Sequence, residues 1–193
     1  MLQKLDPQTT ALVLIDLQQG ILPYAKAPRS AEPILTASAK LAKRFREIGA
    51  PVVLVRVGWS QDFGDALKQA VDQPAMLPAN GLPAAWWDFP EALEVSEHDI
   101  KITKRQWNAF HGTELDLQLR RRGIKTIVLA GISTNIGVES TARAGYELGY
   151  TLVLAEDAMG CAAPEHHHAS VNYIFPRLGL VRQSDEVIQA LTD

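Results

Sequence analysis

Four apolar runs constrain this chain more than any other feature: ALVLID (11–16), PVVLVRV (51–57), TIVLAGI (126–132) and TLVLAEDA (151–158). Each is built from Val, Ile, Leu and Ala, and none alternates apolar with polar side chains. A strand with one wet face alternates; a strand without alternation is covered on both faces. Segments of helical period lie between the runs. Ile34, Leu41, Phe45 and Ile48 fall on one face of a helix expected over 31–48, which Gly49 stops. Thr113 and Asp116 have capping-box spacing for a second helix that ends at Gly123. Further helices are expected over about 136–148, 164–177 and 185–191, and shorter or edge strands in DIKITKR (99–105) and GLVRQS (179–184). Strand–helix alternation of this kind predicts an α/β fold, a mostly parallel sheet between two helical layers.

Bulk numbers narrow the class. With 193 residues, no linker and no repeat, the chain is expected to form a single domain over 1–193. A net charge of −3 gives no pull toward nucleic acid or an anionic membrane, so neither is an expected partner. Every apolar run is shorter than a bilayer span. The N-terminal stretch MLQKLDPQTTALVLID has no secretory pattern, and a cytoplasmic location is expected. One cysteine, Cys161, excludes an internal disulfide and a structural zinc site within the chain.

In open parallel sheets ligands bind beyond the carboxyl ends of the strands. That rule singles out Asp16, Arg56, Lys104, the turn 131–137 and Glu156–Asp157. Asp16 ends an otherwise apolar strand, either as a helix N-cap or as a charge held in a cleft; position alone does not choose. Lys104 gains meaning only beside Asp16, where each would neutralise the other. His166–His168 suggest a metal, but three consecutive histidines fan around a helix, and an exposed helix start is the favoured reading. Arg120–Arg122 suit the end of a helix without needing a partner. Cys161 has no neighbour set to lower its pKa and reads as a buried or half-buried bystander. Residues 58–98 are Pro-rich and aromatic with little period, either a functional or interface segment or a surface excursion packing its own tryptophans.

Taken together, ALVLIDLQQGIL (11–22), ITKRQWNAFHGTEL (102–115), GISTNIGVESTARAGYELGY (131–150) and LAEDAMG (154–160) resemble the isochorismatase-like hydrolases, also called cysteine hydrolases. The resemblance covers nearly the whole chain. It implies a six-stranded parallel sheet of order 3-2-1-4-5-6 with helices on both faces. It also implies a cofactor-independent hydrolase of a small molecule, assembled as a homo-oligomer, a dimer or tetramer.

Amidases of that family use an Asp–Lys–Cys triad. By the resemblance, Asp16 and Lys104 are the first two members, and the cysteine falls on Gly137, so thiolate attack is unavailable. The metal-binding amidases carry Asp-x-His after the second strand; here that stretch is VRVGW, with Arg56 and no histidine, and no metal is expected. Isochorismatases also have glycine at the cysteine position. They cleave a vinyl ether by protonating its methylene carbon, after which water captures the cation. Asp16 would be the general acid and Lys104 its counter-charge; the alternatives are an amidase using water or Cys161, and a non-catalytic binding or assembly protein that keeps the pocket. Gly137 would leave room beside backbone N–H groups able to face an anion. The family's non-proline cis peptide would be Ile132–Ser133. The resulting candidate catalytic residues are Asp16 and Lys104. The candidate binding residues are Gln18, Arg56, Trp107, Phe110, Ile132, Ser133, Thr134 and Gly137. Arg56 would take a substrate carboxylate or else form an inter-strand or inter-subunit salt bridge, and Trp107 and Phe110 would wall the pocket or belong to the core.

Overall fold

The computed structural model describes residues 4–191. Six strands form one parallel sheet: β1 (Thr10–Ile15), β2 (Val52–Val57), β3 (Ile100–Lys104), β4 (Thr126–Ile132), β5 (Thr151–Gly160) and β6 (Leu180–Arg182). Their order is β3-β2-β1-β4-β5-β6. The apolar runs occupy the centre. β1 is buried along its whole length, and β2 and β4 nearly so. The two shorter runs, β3 and β6, take the edges.

Helix α1 (Ala31–Glu47) buries Ile34, Ser38, Leu41, Ala42 and Phe45, a stripe at three- and four-residue spacing. It packs on the sheet together with α6 (Ser184–Ala190). On the opposite face, α2 (Leu115–Arg121) sets Leu115 among Val13, Ile127, Leu129 and Leu152. Helix α3 (Glu139–Glu147) contributes Thr141 to the same contact. The expected three layers and strand order are therefore present.

Three local expectations change. The helix expected from residue 136 starts as a wide turn, Thr134–Val138, in which Val138 N donates five residues back to the Ser133 carbonyl (3.2 Å); α3 follows it. The helix expected over 164–177 is divided into α4 (Pro164–Ala169), a second wide turn (Ser170–Ile174) and α5 (Phe175–Leu178). Pro176 has no N–H to continue the ladder. The capping box at Thr113 does not close. The Thr113 hydroxyl oxygen accepts from Leu115 N (3.1 Å), while Asp116 is drawn away to accept from Tyr150 Oη (2.8 Å).

Residues 58–98 form no strand. Two tryptophans anchor this excursion on glycines: the Trp86 ring covers Gly20 and the Trp87 ring covers Gly58, each so closely that a Cβ there would lie 2.0–2.2 Å from ring carbons. Trp86 Nε1 also donates to the Val57 carbonyl (2.8 Å). Among the described residues no helix is long and apolar enough to cross a membrane.

Candidate active site

Asp16 and Lys104 are brought together by sheet order. β2 lies between their strands, so β1 and β3 are about 10 Å apart, two interstrand spacings. Asp16 narrows that gap by leaving β1 in the left-handed region (φ 54°), which Asp tolerates better than most residues. Lys104, paired in register with Val57, spans the rest with its long side chain. Its Nζ donates to Asp16 Oδ2 (2.7 Å) and to the Gln106 carbonyl (3.1 Å). The pair is almost wholly buried, 1% exposed for the lysine side chain and 7% for the aspartate. Asp16 Oδ1 is buried without a partner. Burial pushes the Asp16 carboxyl up to about 6, against the lowering by Lys104, because desolvation of the charged form outweighs one ion pair.

The pair lines a cleft of about 440 Å³ at the carboxyl ends of the strands. Ile132, Ser133, Ile136 and Gly137 form one wall, and the Ile132–Ser133 peptide is cis. A Cβ built on Gly137 would stand 3.2 Å from Asp16 Oδ2 and 3.0 Å from Ile15 Cγ2, so a side chain here would abut the ion pair. Nearby, Gly131 (φ 126°) lets β4 meet β1: a Cβ there would lie 2.1 Å from the Ile15 carbonyl oxygen. The opposite walls come from Trp59, Leu67, Val71, Leu77 and Trp107, with Lys68 and Arg105 the cationic groups besides Lys104. The excursion thus lines the cleft and packs Trp86 and Trp87 on glycines.

Five of the ten candidate residues need separate placement. Trp107 lines the cleft and is 63% exposed. Phe110 does not line it; its ring stacks on Tyr150 (5.7 Å between centroids) in the core. Arg56 is also outside. Its Nε donates to Thr103 Oγ1 (3.1 Å), its Nη1 to the Trp87 carbonyl (3.3 Å), and its guanidinium sits over the Trp87 and Phe89 rings. It faces the flank of β2 where the excursion returns, and among the described residues it forms no inter-strand salt bridge. Gln18 is a buried clamp, donating to the Val57 and Trp86 carbonyls and accepting from Val57 N (2.7 Å). Thr134 belongs to the turn, but its hydroxyl points to His167 (2.9 Å to Nδ1) and it is absent from the lining.

The histidine run is more than an exposed helix start. His166 and His168 are exposed, whereas His167 is fully buried and reaches Glu156 Oε1 (2.7 Å) through Nε2. Among the described residues no group of three or more His, Cys, Asp or Glu side chains is placed to hold a metal ion. Cys161 is buried outside the cleft lining, its thiol pushed up by desolvation. Trp59, Arg105 and Gln106 escaped notice in the sequence, although their places directly beyond β2 and β3 were a usable signal.

The family profile described as Isochorismatase domain matches residues 10–186. An isochorismatase family protein of Escherichia coli O157:H7, YecD, is 57% identical over 188 residues, covering 97% of this chain and 99% of that protein. The ureidoacrylate amidohydrolase RutB of Acinetobacter baylyi is 32% identical over 96% of this chain and 84% of its own length. The structure of an isochorismatase family protein from Burkholderia thailandensis superposes with a TM-score of 0.92 at 43% identity, covering 99% of each chain.

Proposed function

The chain belongs to the isochorismatase family, and from that premise we propose that this hydrolase works without a cysteine nucleophile, Asp16 acting as the general acid in hydrolysis of a vinyl ether of the isochorismate kind. One arrangement carries the reading. A buried carboxyl with one oxygen on Lys104 and the other unpartnered lines a cleft, and the residue beside it, Gly137, has no side chain. Held at about 6, the Asp16 carboxyl keeps roughly a tenth of its population protonated at neutral pH. An acid of that strength suits proton transfer near its working pH.

Asp16 gives its proton to the methylene carbon of an enolpyruvyl ether. The C=C electron pair forms the new C–H bond and leaves an oxocarbenium ion, which the Asp16 carboxylate stabilises electrostatically. Water adds to the cationic carbon and gives up a proton to restore the acid. The hemiketal then collapses to pyruvate and the alcohol. Lys104 orients the carboxyl and limits the cost of its charge after proton transfer. Amide hydrolysis by water is the second reading, favoured by the likeness to a ureidoacrylate amidohydrolase.

A hydrolysis panel tests both: isochorismate, ureidoacrylate, nicotinamide and other small amides, each with wild type and Asp16→Asn. Expected is pyruvate release that falls at least about 100-fold in the variant, with a kcat/KM that declines in wild type as pH rises through about 6. Asp16-dependent ammonia release replaces the vinyl-ether reading with the amide one. Pyruvate release that survives Asp16→Asn removes Asp16 from the mechanism.

A further inference from the structure

Behind the wall of the cleft lies a buried polar chain that the hydrolytic reading leaves unused. His167 is fully buried, with Nε2 2.7 Å from Glu156 Oε1 and Nδ1 2.9 Å from Thr134 Oγ1. Glu156 is held in turn by Arg29 (3.0 Å to Oε1) and Gln183 (3.0 Å to Oε2). The His167 hydrogen bond is the largest cause lowering the Glu156 carboxyl to about 2, with Gln183 and Arg29 adding to it. A carboxylate only accepts, so the hydrogen lies on His167 Nε2. At Nδ1 the ring accepts from the Thr134 hydroxyl when neutral and donates to it when protonated; in both forms the contact ties Thr134 to His167. One buried ring thereby joins Glu156 to Thr134.

Thr134 opens the wide turn, directly after the cis peptide and Ser133, and three residues before Gly137. A second tie holds the far end of the turn. The Thr141 hydroxyl donates to the Gly137 carbonyl (2.7 Å) and accepts from Ala109 N (3.0 Å), five residues beyond Lys104. Apolar packing would fill the space behind this turn about as stably, but only hydrogen bonds give a backbone a direction. The run of three histidines supplies one residue to this role, since only its middle member faces inward.

We propose that His167 is a positioning residue: through Thr134 it sets the direction in which the Ser133–Gly137 turn presents itself to Asp16 and Lys104. The proposal rests on the reading above only in taking this turn as a wall of the reactive site. Its test needs no substrate. Gly137→Cys places a thiol beside the ion pair, and its alkylation by iodoacetamide reports the placement and environment of the turn. Wild type, whose one cysteine is buried, sets the background.

In the Gly137→Cys protein, Thr134→Val and His167→Phe are each expected to change the alkylation rate about tenfold, and the two together no further than either alone. Thr134→Ser, which keeps the hydroxyl, is expected to stay within about twofold of the parent. All proteins are compared well below their melting transitions, so loss of stability alone leaves the rates where they were. If His167→Phe does not fold, the Thr134→Val and Thr134→Ser pair decides. Rates that stay within about twofold while melting temperatures fall overturn the proposal. A thiol unreactive in every protein overturns it too, because the turn then does not present position 137 to the cleft. A silent hydrolysis panel would sink the vinyl-ether reading and leave these rates unaffected.

Discussion

Replacing Lys104 with methionine should destabilise the protein in a way that depends on pH, with a sign opposite to that of an ordinary salt bridge. Lys104 is 1% exposed and its Nζ lies 2.7 Å from Asp16 Oδ2. Methionine keeps much of the volume and removes the charge. In wild type the Asp16 carboxyl stands at about 6 against an ordinary 3.8, so keeping it ionised in the fold costs about 3 kcal/mol even with its partner. A carboxyl raised in the folded state favours folding at low pH. That contribution is lost as pH rises from about 4 through about 6. Without Lys104 the carboxyl rises further, and above that new value the carboxylate is buried alone, at a loss of about 3–5 kcal/mol. Below it Asp16 takes a proton, and the loss shrinks by about 1.4 kcal/mol per pH unit.

Urea unfolding of wild type and Lys104→Met at about pH 8 and about pH 5 measures this. The variant should be far weaker at the higher pH and close to wild type at the lower. Adding Asp16→Asn should recover most of the loss at the higher pH, since no charge is then left buried. An equal loss at both pH values, or a larger one at the lower, would refute the claim that desolvation of Asp16 dominates the pair.

Two further outcomes follow from close backbone and ring contacts. Gly131→Ala should lower stability by more than about 3 kcal/mol in thermal melts, because its Cβ would lie 2.1 Å from the Ile15 carbonyl at a φ of 126°; a melt near that of wild type would mean β1 and β4 do not approach so closely. Trp86→Ala should cost about 2–4 kcal/mol and open residues 58–98 to limited proteolysis, as it removes the ring covering Gly20 and the donor to the Val57 carbonyl; an unchanged cleavage pattern would show that the excursion is anchored elsewhere.

The sheet was legible in the sequence because its signal is local and repeated. Strands covered on both faces must be apolar throughout, and the helices between them must show a stripe, so the order of elements can be read one window at a time. Strand order came from the resemblance of separated motifs, not from any single run. Boundaries were less legible. Pro176 inside a helical pattern and the five-residue bond at Val138 each divided a helix that periodicity alone had made continuous.

Composition and pattern by themselves therefore determined the α/β class, the buried β1 and the end of the sheet where the cleft opens. Which side chains meet there was decided only in three dimensions. Asp16 and Lys104 are 88 residues apart and touch because one intervening strand and a left-handed turn bring them within reach. Arg56, Phe110 and Gln18 stand close in sequence to cleft residues yet face elsewhere; Arg56 does so because one position along a strand reverses a side chain's direction. The cleft walls at Leu67, Val71 and Leu77 come from a stretch without periodicity, and the inward face of His167 depends on the rotation of a short helix against β5. A chain's periodicity states which residues are buried; which partners they are buried against is a property of the packed layers.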